Sequence, residues 1–266
     1  MGGLAIGIAV LTVFIILSRF IKIDYFYLYI IPFVTYLLIG FIDDYLIVVQ
    51  KKNDGLSVKT KLTLQIIGAS IYYFVYLHYE LPTNIVAFNI NIDLKWGYGL
   101  LILLMFVATS NAVNLSDGID GLASGLAIVS YVAIAIISYS LLNQSVFLFT
   151  LIMIASVMGF LCFNANPARV FMGNTGSMLL GAVLANLMIL LKLEILLIVL
   201  ALVFAVETLS VILQVIYFKR TKGKRLFLMS PIHHHFELKG YSEWQVDIMF
   251  WLMAIVAAII TLMIAL

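Results

Sequence analysis

Long stretches without a charged residue dominate the chain. A helix needs about 20 mostly apolar residues to cross the hydrocarbon core of a bilayer. The stretch 121–168 is too long for one crossing, and a turn-like segment at 142–145 divides it into two. Since lipid offers no hydrogen-bond partners to the backbone, each crossing should be an α-helix. The pattern predicts nine transmembrane helices, in the stretches 1–18, 25–42, 62–79, 96–116, 121–168 (two helices), 170–191, 195–218 and 248–266.

One segment departs from this pattern. Between residues 82 and 97, the apolar residues Phe88, Ile90, Ile92 and Leu94 alternate with polar ones. Alternation with a period of two is typical of a half-buried strand. We therefore predict a small β-hairpin on the outer surface of an otherwise all-α membrane protein that forms a single domain over residues 1–266.

The composition indicates a membrane protein and excludes several other classes. Apolar residues make up 64% of the 266 positions and charged residues only 11%, against about 25% charged residues in an ordinary soluble domain. The mean hydropathy is +1.16. These values exclude a soluble globular protein, a nucleic-acid-binding protein and a disordered chain. The single cysteine, Cys162, cannot form an internal disulfide.

The basic residues predict the orientation, because cytoplasmic loops are enriched in Lys and Arg. With alternating crossings, eleven basic residues fall on one side and four on the other. The richer side is predicted to be cytoplasmic, which places the first residue inside and the last outside. The eleven are Lys51, Lys52, Lys59, Lys61, Arg169, Lys219, Arg220, Lys222, Lys224, Arg225 and Lys239, and the four are Arg19, Lys22, Lys95 and Lys192.

Four segments carry nearly all of the unusual polar residues. They read FIDDY, NLSDGIDGL, FNANPARVFMGNTGS and SPIHHHFE, and the predicted topology places all four on the cytoplasmic side. The count of crossings made no use of these residues, so their common side supports a shared site. Their candidate residues are Asp43 and Asp44, then Asn114, Asp117 and Asp120, then Asn164, Asn166, Arg169 and Asn174, and finally His233, His234 and His235.

Paired carboxylates at a membrane surface suit phosphate chemistry. Asp43 and Asp44 repel each other and stay ionised best beside a cation, and Mg²⁺ favours one or two carboxylates together with substrate phosphates. The alternative is a helix-end pair in headgroup water. Lys61 could hold a lipid phosphate or simply extend to the headgroups. The other polar segments on the same face favour the phosphate-transfer interpretation.

The remaining polar residues also have two interpretations. Asp117 and Asp120, three positions apart, would share a face at a helix start, or one of them could cap the helix. The three histidines suit a diphosphate better than zinc, because adjacent residues do not converge well on one metal. Glu207 lies within a predicted crossing, where an acid is a functional candidate by default, although a structural role is equally compatible.

Together the four segments closely resemble the phospho-N-acetylmuramoyl-pentapeptide transferase family, within the polyprenyl-phosphate N-acetylhexosamine-1-phosphate transferase superfamily. The resemblance runs along essentially the whole chain, and PIHHHFE is its most specific part. It implies Mg²⁺-dependent transfer of phospho-MurNAc-pentapeptide from UDP-MurNAc-pentapeptide to undecaprenyl phosphate, forming lipid I and UMP. It also implies ten transmembrane helices, a periplasmic hairpin, a cytoplasmic active site in the bacterial cytoplasmic membrane, and commonly a homodimer.

The resemblance further implies roles for individual residues. Asp43 would deprotonate the lipid phosphate with Asp44 beside it, and Lys61 would hold phosphate. Asp43, Asp44 and Asn174 would be the metal ligands. The implied substrate-binding residues are Asn114, Asp117, Asp120, Asn164, Phe171, Gly173, Gln214, His233, His234 and His235, with Phe171 stacking on uracil and the histidines assisting the diphosphate.

Two departures from the family pattern keep other functions open. The family reads FMGDTGS, so Asn174 places a neutral amide where a charged metal ligand is expected. The chain also begins at MGGLAIG, inside a family motif that follows the first helix, which accounts for nine crossings instead of ten. The alternatives are a catalytically impaired or silent protein that binds lipid or nucleotide, a related UDP-N-acetylhexosamine-1-phosphate transferase, and a transporter with a proton path through Asp43, Asp44 and Glu207.

Overall fold

The computed structural model describes residues 1–50, 55–87 and 90–266. This part of the chain is mostly helical, as predicted, and carries one two-stranded sheet. The helices are α1 (Gly3–Leu17), α2 (Phe26–Val48), α3 (Val58–His78), α4 (Gly97–Ser116), α5 (Leu122–Ser140), α6 (Gln144–Asn164), α7 (Gly173–Leu190), α8 (Leu196–Leu200), α9 (Leu202–Arg220), α10 (Ile232–Leu238) and α11 (Glu243–Ala265), and the strands are β1 (Asn84–Ala87) and β2 (Ile90–Asp93).

Seven helices in the described ranges are long and apolar enough to cross a membrane, namely α2, α4, α5, α6, α7, α9 and α11. The chain is therefore a multi-pass membrane protein. The predicted count of nine is not confirmed. Helix α1 is apolar but only 15 residues long, and α3 has 21 residues with several polar side chains among its apolar ones.

The stretch 195–218, predicted as one helix, is interrupted. Ala201 leaves helical geometry (φ −92°, ψ 20°) and separates α8 from α9. The two pieces pack differently, since α8 lies mainly against α11 whereas α9 lies mainly against α4. Leucine, valine and isoleucine continue on both sides of the break, so the apolar pattern gave no sign of it.

The predicted hairpin is confirmed, whereas its position on the outer surface stays a prediction. Strands β1 and β2 pair antiparallel, with Asn84 opposite Asp93 and Ile85 opposite Ile92. The Thr83 Oγ1 hydroxyl donates to Asp93 Oδ1 over 2.9 Å and ties the two ends of the hairpin together. Phe88 of the alternating pattern lies outside the described residues, as do Lys51 and Lys52 of the charge count.

The predicted turn between the two helices of 121–168 is also confirmed. Helix α5 ends at Ser140 and α6 begins at Gln144. The Asn143 side chain caps α6 by accepting a hydrogen bond from the Val146 N–H over 3.1 Å, which is the role expected of Asn at a helix start.

Helix α7 is the centre of the bundle. Its side chains are almost all buried, and it packs against α1, α2, α4 and α5. A Cβ atom at Gly40 of α2 would lie 2.2 Å from the Asn174 carbonyl oxygen. Small residues allow such close backbone approach between helices in a membrane. The glycine therefore brings the start of α7 against the part of α2 that carries Asp43 and Asp44.

Candidate active site

Four helices bring five of the predicted residues together at one end of the bundle. We call this set the carboxylate cluster. Helix α2 continues to Val48, so its two aspartates lie inside a helix rather than at its end. Both are buried, with 1% and 7% of their surface exposed. The members of the cluster are Asp43, Asp44, Lys61, Asn114 and Asn174.

Asp43 forms the charged half of the cluster. Its Oδ2 atom accepts a hydrogen bond from Lys61 Nζ over 2.9 Å, and its Oδ1 atom accepts one from the Leu56 N–H over 2.7 Å. The Lys61 side chain is 20% exposed. The ion pair is therefore partly open to the surface on the lysine side, which suits a cation that also contacts a ligand.

Asp44 has a different environment from its neighbour. It accepts hydrogen bonds from the backbone N–H groups of Asn174 and Thr175, each over 3.0 Å, and from Thr175 Oγ1 over 2.6 Å. These donors are the first-turn groups of α7, which have no partner within their own helix. Asp44 thus caps α7 from another helix, where a carboxylate also faces the positive end of the helix dipole.

The Asn174 amide connects two sides of the cluster. Its Nδ2 atom donates to Asp43 Oδ2, and its Oδ1 atom accepts from Asn114 Nδ2. Asn114 Nδ2 also donates to Ser177 Oγ over 2.9 Å. The surrounding partners fix the orientation of the amide, which therefore turns a donor, and not an oxygen, toward the carboxylate.

Metal ligands do not converge here in this arrangement. No group of three His, Cys, Asp or Glu side chains in the described ranges is placed to hold a metal ion. Every carboxylate oxygen of Asp43 and Asp44 already accepts a hydrogen bond from the protein. The residues could offer at most two carboxylates to a cation, and the amide of Asn174 would have to turn over to add an oxygen.

A cavity of about 190 Å³ lies next to the carboxylate cluster, and we call it the loop cavity. The two meet at the start of α7, where Gly173 lines the cavity and Asn174 belongs to the cluster. Phe171 is an exposed wall of the cavity, with 68% of its surface accessible, so the ring is free to stack on a planar group. The lining residues are Asp117, Gly118, Ile119, Asp120, Asn164, Phe171, Met172 and Gly173, five of which were predicted to bind substrate.

The acidic residues of the cavity differ in charge state and in contacts. Burial, together with the nearby Asp44 carboxylate, raises the pKa of Asp117 to about 8. Asp117 therefore carries a proton for part of the time near neutral pH and can donate a hydrogen bond to a ligand. Asp120 is fixed, since its Oδ2 accepts from the Ala168 N–H over 2.8 Å and its own N–H donates to Glu243 Oε2 over 3.1 Å.

The structure separates the three histidines. His233 is fully buried and pairs with Glu207. His234 Nδ1 lies 2.6 Å from Glu237 Oε2, and about a quarter of its side chain is exposed. His235 Nδ1 accepts a hydrogen bond from the Leu228 N–H over 3.1 Å. Only His234 and His235 are open to a ligand from solvent.

Gln214 does not join the loop cavity. Its Oε1 atom accepts from the N–H groups of Leu226 and Phe227, and its Nε2 atom donates to the Phe227 carbonyl. It lines a separate cavity of about 300 Å³ with Phe218, Arg225, Met229 and Ser230. In this structure it holds the segment after α9.

Several residues that shape the site were not singled out from the sequence. Thr175 and Ser177 contact the cluster and stand in the same GNTGS run as Asn174, so that motif was the available signal. Ser124 donates to Asn164 Oδ1 over 2.8 Å, and Trp244 Nε1 donates to the Asn166 carbonyl over 3.0 Å. No local pattern marked these two, because their partners come from distant parts of the chain.

Comparisons with known proteins identify the family of the chain. Residues 25–192 match the family "Glycosyl transferase family 4". The phospho-N-acetylmuramoyl-pentapeptide-transferases of Bacillus velezensis and Bacillus subtilis are each 46% identical over 264 residues, which is 98% of this chain and 81% of the relative. The enzyme so named in Anoxybacillus flavithermus is 49% identical over 236 residues, 87% of this chain and 72% of the relative. The chain belongs to the phospho-N-acetylmuramoyl-pentapeptide-transferase family.

Proposed function

We propose that this protein transfers phospho-MurNAc-pentapeptide from UDP-MurNAc-pentapeptide to undecaprenyl phosphate, forming lipid I and releasing UMP in peptidoglycan synthesis. The names of the relatives support the reaction class. The observation that carries the proposal is the position of a carboxylate–lysine pair beside a cavity with an exposed aromatic wall: Asn174 donates to Asp43 of the pair, and its chain neighbour Gly173 lines the cavity. The proposed location is the cytoplasmic face of the bacterial cytoplasmic membrane, and the protein would act as a homodimer.

The acceptor phosphate would bind at Asp43 and Lys61. Lys61 would neutralise the lipid phosphate, and Asp43 would accept its proton. The freed phosphate oxygen then attacks the β-phosphorus of the UDP-sugar, a new P–O bond forms, and the bond to the α-phosphate oxygen breaks so that UMP leaves. Positioning and charge neutralisation supply most of the rate in phosphoryl transfer. The Asp43–Lys61 pair, with its atoms 2.9 Å apart, could both position the acceptor phosphate and neutralise its charge.

The uridine would occupy the loop cavity. Phe171 offers an exposed ring for stacking on uracil, and base stacking on an aromatic side chain contributes about 1 to 3 kcal/mol. Asp117, held partly protonated by its raised pKa, and the fixed Asp120 would face polar groups of the nucleoside. His234 and His235 would contact the diphosphate, because they remain open to solvent.

The magnesium dependence implied by the resemblance stays a prediction. Two carboxylates and one amide are a weak ligand set, and the amide here donates to Asp43 instead of presenting its oxygen. On their own, without substrate phosphates, the residues in this arrangement therefore do not fit a divalent cation. The steps proposed for Asp43 and Lys61 therefore use these two side chains and are not routed through a metal ion.

The test is release of UMP by the full chain in vesicles containing undecaprenyl phosphate. UDP-MurNAc-pentapeptide should support turnover, and UDP-N-acetylglucosamine should not. The matched control is Lys61→Met, which keeps the length of the side chain and removes the charge beside Asp43. Turnover with UDP-N-acetylglucosamine would instead identify a related hexosamine-1-phosphate transferase. No UMP from either substrate would overturn the proposal.

A second candidate function is a silent protein that binds nucleotide or lipid without turnover. The hydrogen bond from Asn174 to Asp43 favours it, because the amide donor occupies the carboxylate oxygen that a metal ion would otherwise contact. Calorimetry of UMP binding separates the two candidates. Binding of UMP without release of UMP from the UDP-linked substrate would establish the silent protein, whereas turnover excludes it.

A further inference from the structure

The intramembrane acid of α9 forms a buried pair with the first histidine of α10. Glu207 and His233 are both fully buried. Glu207 Oε2 accepts a hydrogen bond from the Ile232 N–H over 3.0 Å and lies 3.1 Å from His233 Nδ1. A carboxylate accepts hydrogen bonds only, so the contact places the proton of the neutral ring on Nδ1.

The other side of the His233 ring lies against the wall of the loop cavity. A Cβ atom at Gly118 would be 2.3 Å from His233 Nε2 and 2.8 Å from Cε1. Gly118 does not have a left-handed φ angle, so the close approach of the ring, and not the backbone conformation, requires a glycine there. Gly118 is exposed on its opposite side and lines the cavity. A single glycine therefore separates the imidazole from the cavity.

Both members of the pair carry an atom without a partner. His233 Nε2 and Glu207 Oε1 are buried and have no hydrogen bond. Buried polar atoms in native structures are nearly always paired, and an exception calls for an explanation. Well-packed apolar side chains usually stabilise a buried position at least as much as a buried charged pair does. The pair is thus poorly explained by stability alone.

We propose that Glu207 is a positioning residue for the loop cavity. It holds His233 in one orientation and one tautomer, the ring sets the position of Gly118, and Gly118 sets the wall between Asp117 and Asp120. The histidine acts through the backbone of the wall, since its ring has no exposed surface. The identity of the ligand rests on the proposed function, whereas the geometry of the pair does not.

Nitrogen-15 spectra of the histidines test the first step without any substrate. In Glu207→Gln the amide can donate as well as accept, so we expect His233 to show a mixture of tautomers in place of one. Glu237→Gln is the matched control, because Glu237 contacts His234 in the same helix. It should change the His234 signal and leave that of His233 in place. An unchanged His233 signal in Glu207→Gln would overturn the proposal.

Binding of UMP tests the second step. Since a misplacement of about 1 Å can cost about 100-fold in rate, we expect the smaller displacement in Glu207→Gln to weaken UMP binding about tenfold, with no change in the KM for undecaprenyl phosphate. A general loss of structure would weaken both. Unchanged UMP affinity in Glu207→Gln overturns the inference. If the parent protein binds no UMP, the proposed function fails. The histidine spectra then still show whether Glu207 fixes the tautomer of His233.

A second set of variants covers the case in which Glu207→Gln does not fold. Gly118→Ala places a methyl group against the His233 ring, so we expect weaker UMP binding. Because His233→Ala removes the ring that this methyl group would meet, Gly118→Ala should weaken UMP binding far less in the His233→Ala protein than in the parent protein. Equal affinity in the parent protein and Gly118→Ala, or an equal effect of Gly118→Ala in both proteins, would contradict the coupling between the ring and the wall.

Discussion

Replacement of Asn174 by aspartate is the sharpest test of how the carboxylate cluster is neutralised. In the parent protein the amide donates to Asp43, and the second donor on the same oxygen is Lys61 Nζ at 2.9 Å. Asn174→Asp removes a donor and places a second negative charge beside a buried carboxylate. Two unit charges 4 Å apart repel by about 4 kcal/mol at an effective dielectric constant of about 20. Part of this cost disappears where one carboxyl group takes up a proton.

A divalent cation between the two carboxylates should recover this cost. A ligand present at about 100 times its Kd stabilises the folded state by about 2.7 kcal/mol. We therefore expect Asn174→Asp to unfold at a lower temperature than the parent protein in EDTA, and to gain thermal stability on titration with Mg²⁺. The parent protein should gain far less, because its amide brings no charge to the site.

Thermal unfolding in detergent, followed with and without Mg²⁺, measures both effects. Asn174→Ala is the control, since it removes the hydrogen bond to Asp43 without adding a charge. It should lose stability and show no response to the metal. If Asn174→Asp is as stable as the parent protein in EDTA and responds equally to Mg²⁺, the amide does not replace a cation in this cluster.

Three further outcomes follow from the geometry. Asp44→Ala removes the cap of α7 and should cost about 1 to 2 kcal/mol or more, seen as a lower unfolding temperature, while an unchanged temperature would contradict the capping role. Phe171→Ala should weaken UMP binding by about 1 to 3 kcal/mol in calorimetry without a loss of thermal stability, because the ring is exposed. The pKa of Asp117 is raised in the folded state to about 8 from 3.8, so the folded state binds the proton more tightly and stability should fall as pH rises between these values. Asp117→Asn should flatten this pH dependence of the unfolding temperature, and an equal slope in both proteins would refute it.

The membrane-spanning helices could be predicted from the sequence, because the bilayer restricts the backbone to a few structures. In lipid, the backbone N–H and C=O groups of a spanning segment must form hydrogen bonds within the protein, which a helix provides. The length of each uncharged stretch therefore predicted the membrane-spanning helices α2, α4, α5, α6, α7, α9 and α11. The same rule said nothing about the break at Ala201, which depends on α8 and α9 packing against different helices. The hairpin was predictable from its period of two, because that signal is local.

For the candidate site, the sequence predicted which segments come together, but it did not predict which side chains contact each other. Unusual polar residues in a very apolar chain marked FIDDY, NLSDGIDGL, FNANPARVFMGNTGS and SPIHHHFE, and the structure brings parts of all four together. The direction of the Asn174 amide, the burial of His233 and the separate position of Gln214 depend on partners far away in the chain. Sequence spacing carries no information on such partners.

The paired aspartates of α2 divide two tasks that the sequence presents as one. Asp44 accepts three hydrogen bonds from the first turn of α7, so it holds the central helix in place. Asp43 pairs with Lys61, whose side chain is open to the surface. Loss of activity in an Asp44 variant would therefore follow from a displaced α7 as readily as from lost chemistry. At Asp43, by contrast, loss of turnover with retained thermal stability would support the proposed role of this carboxylate in the chemistry.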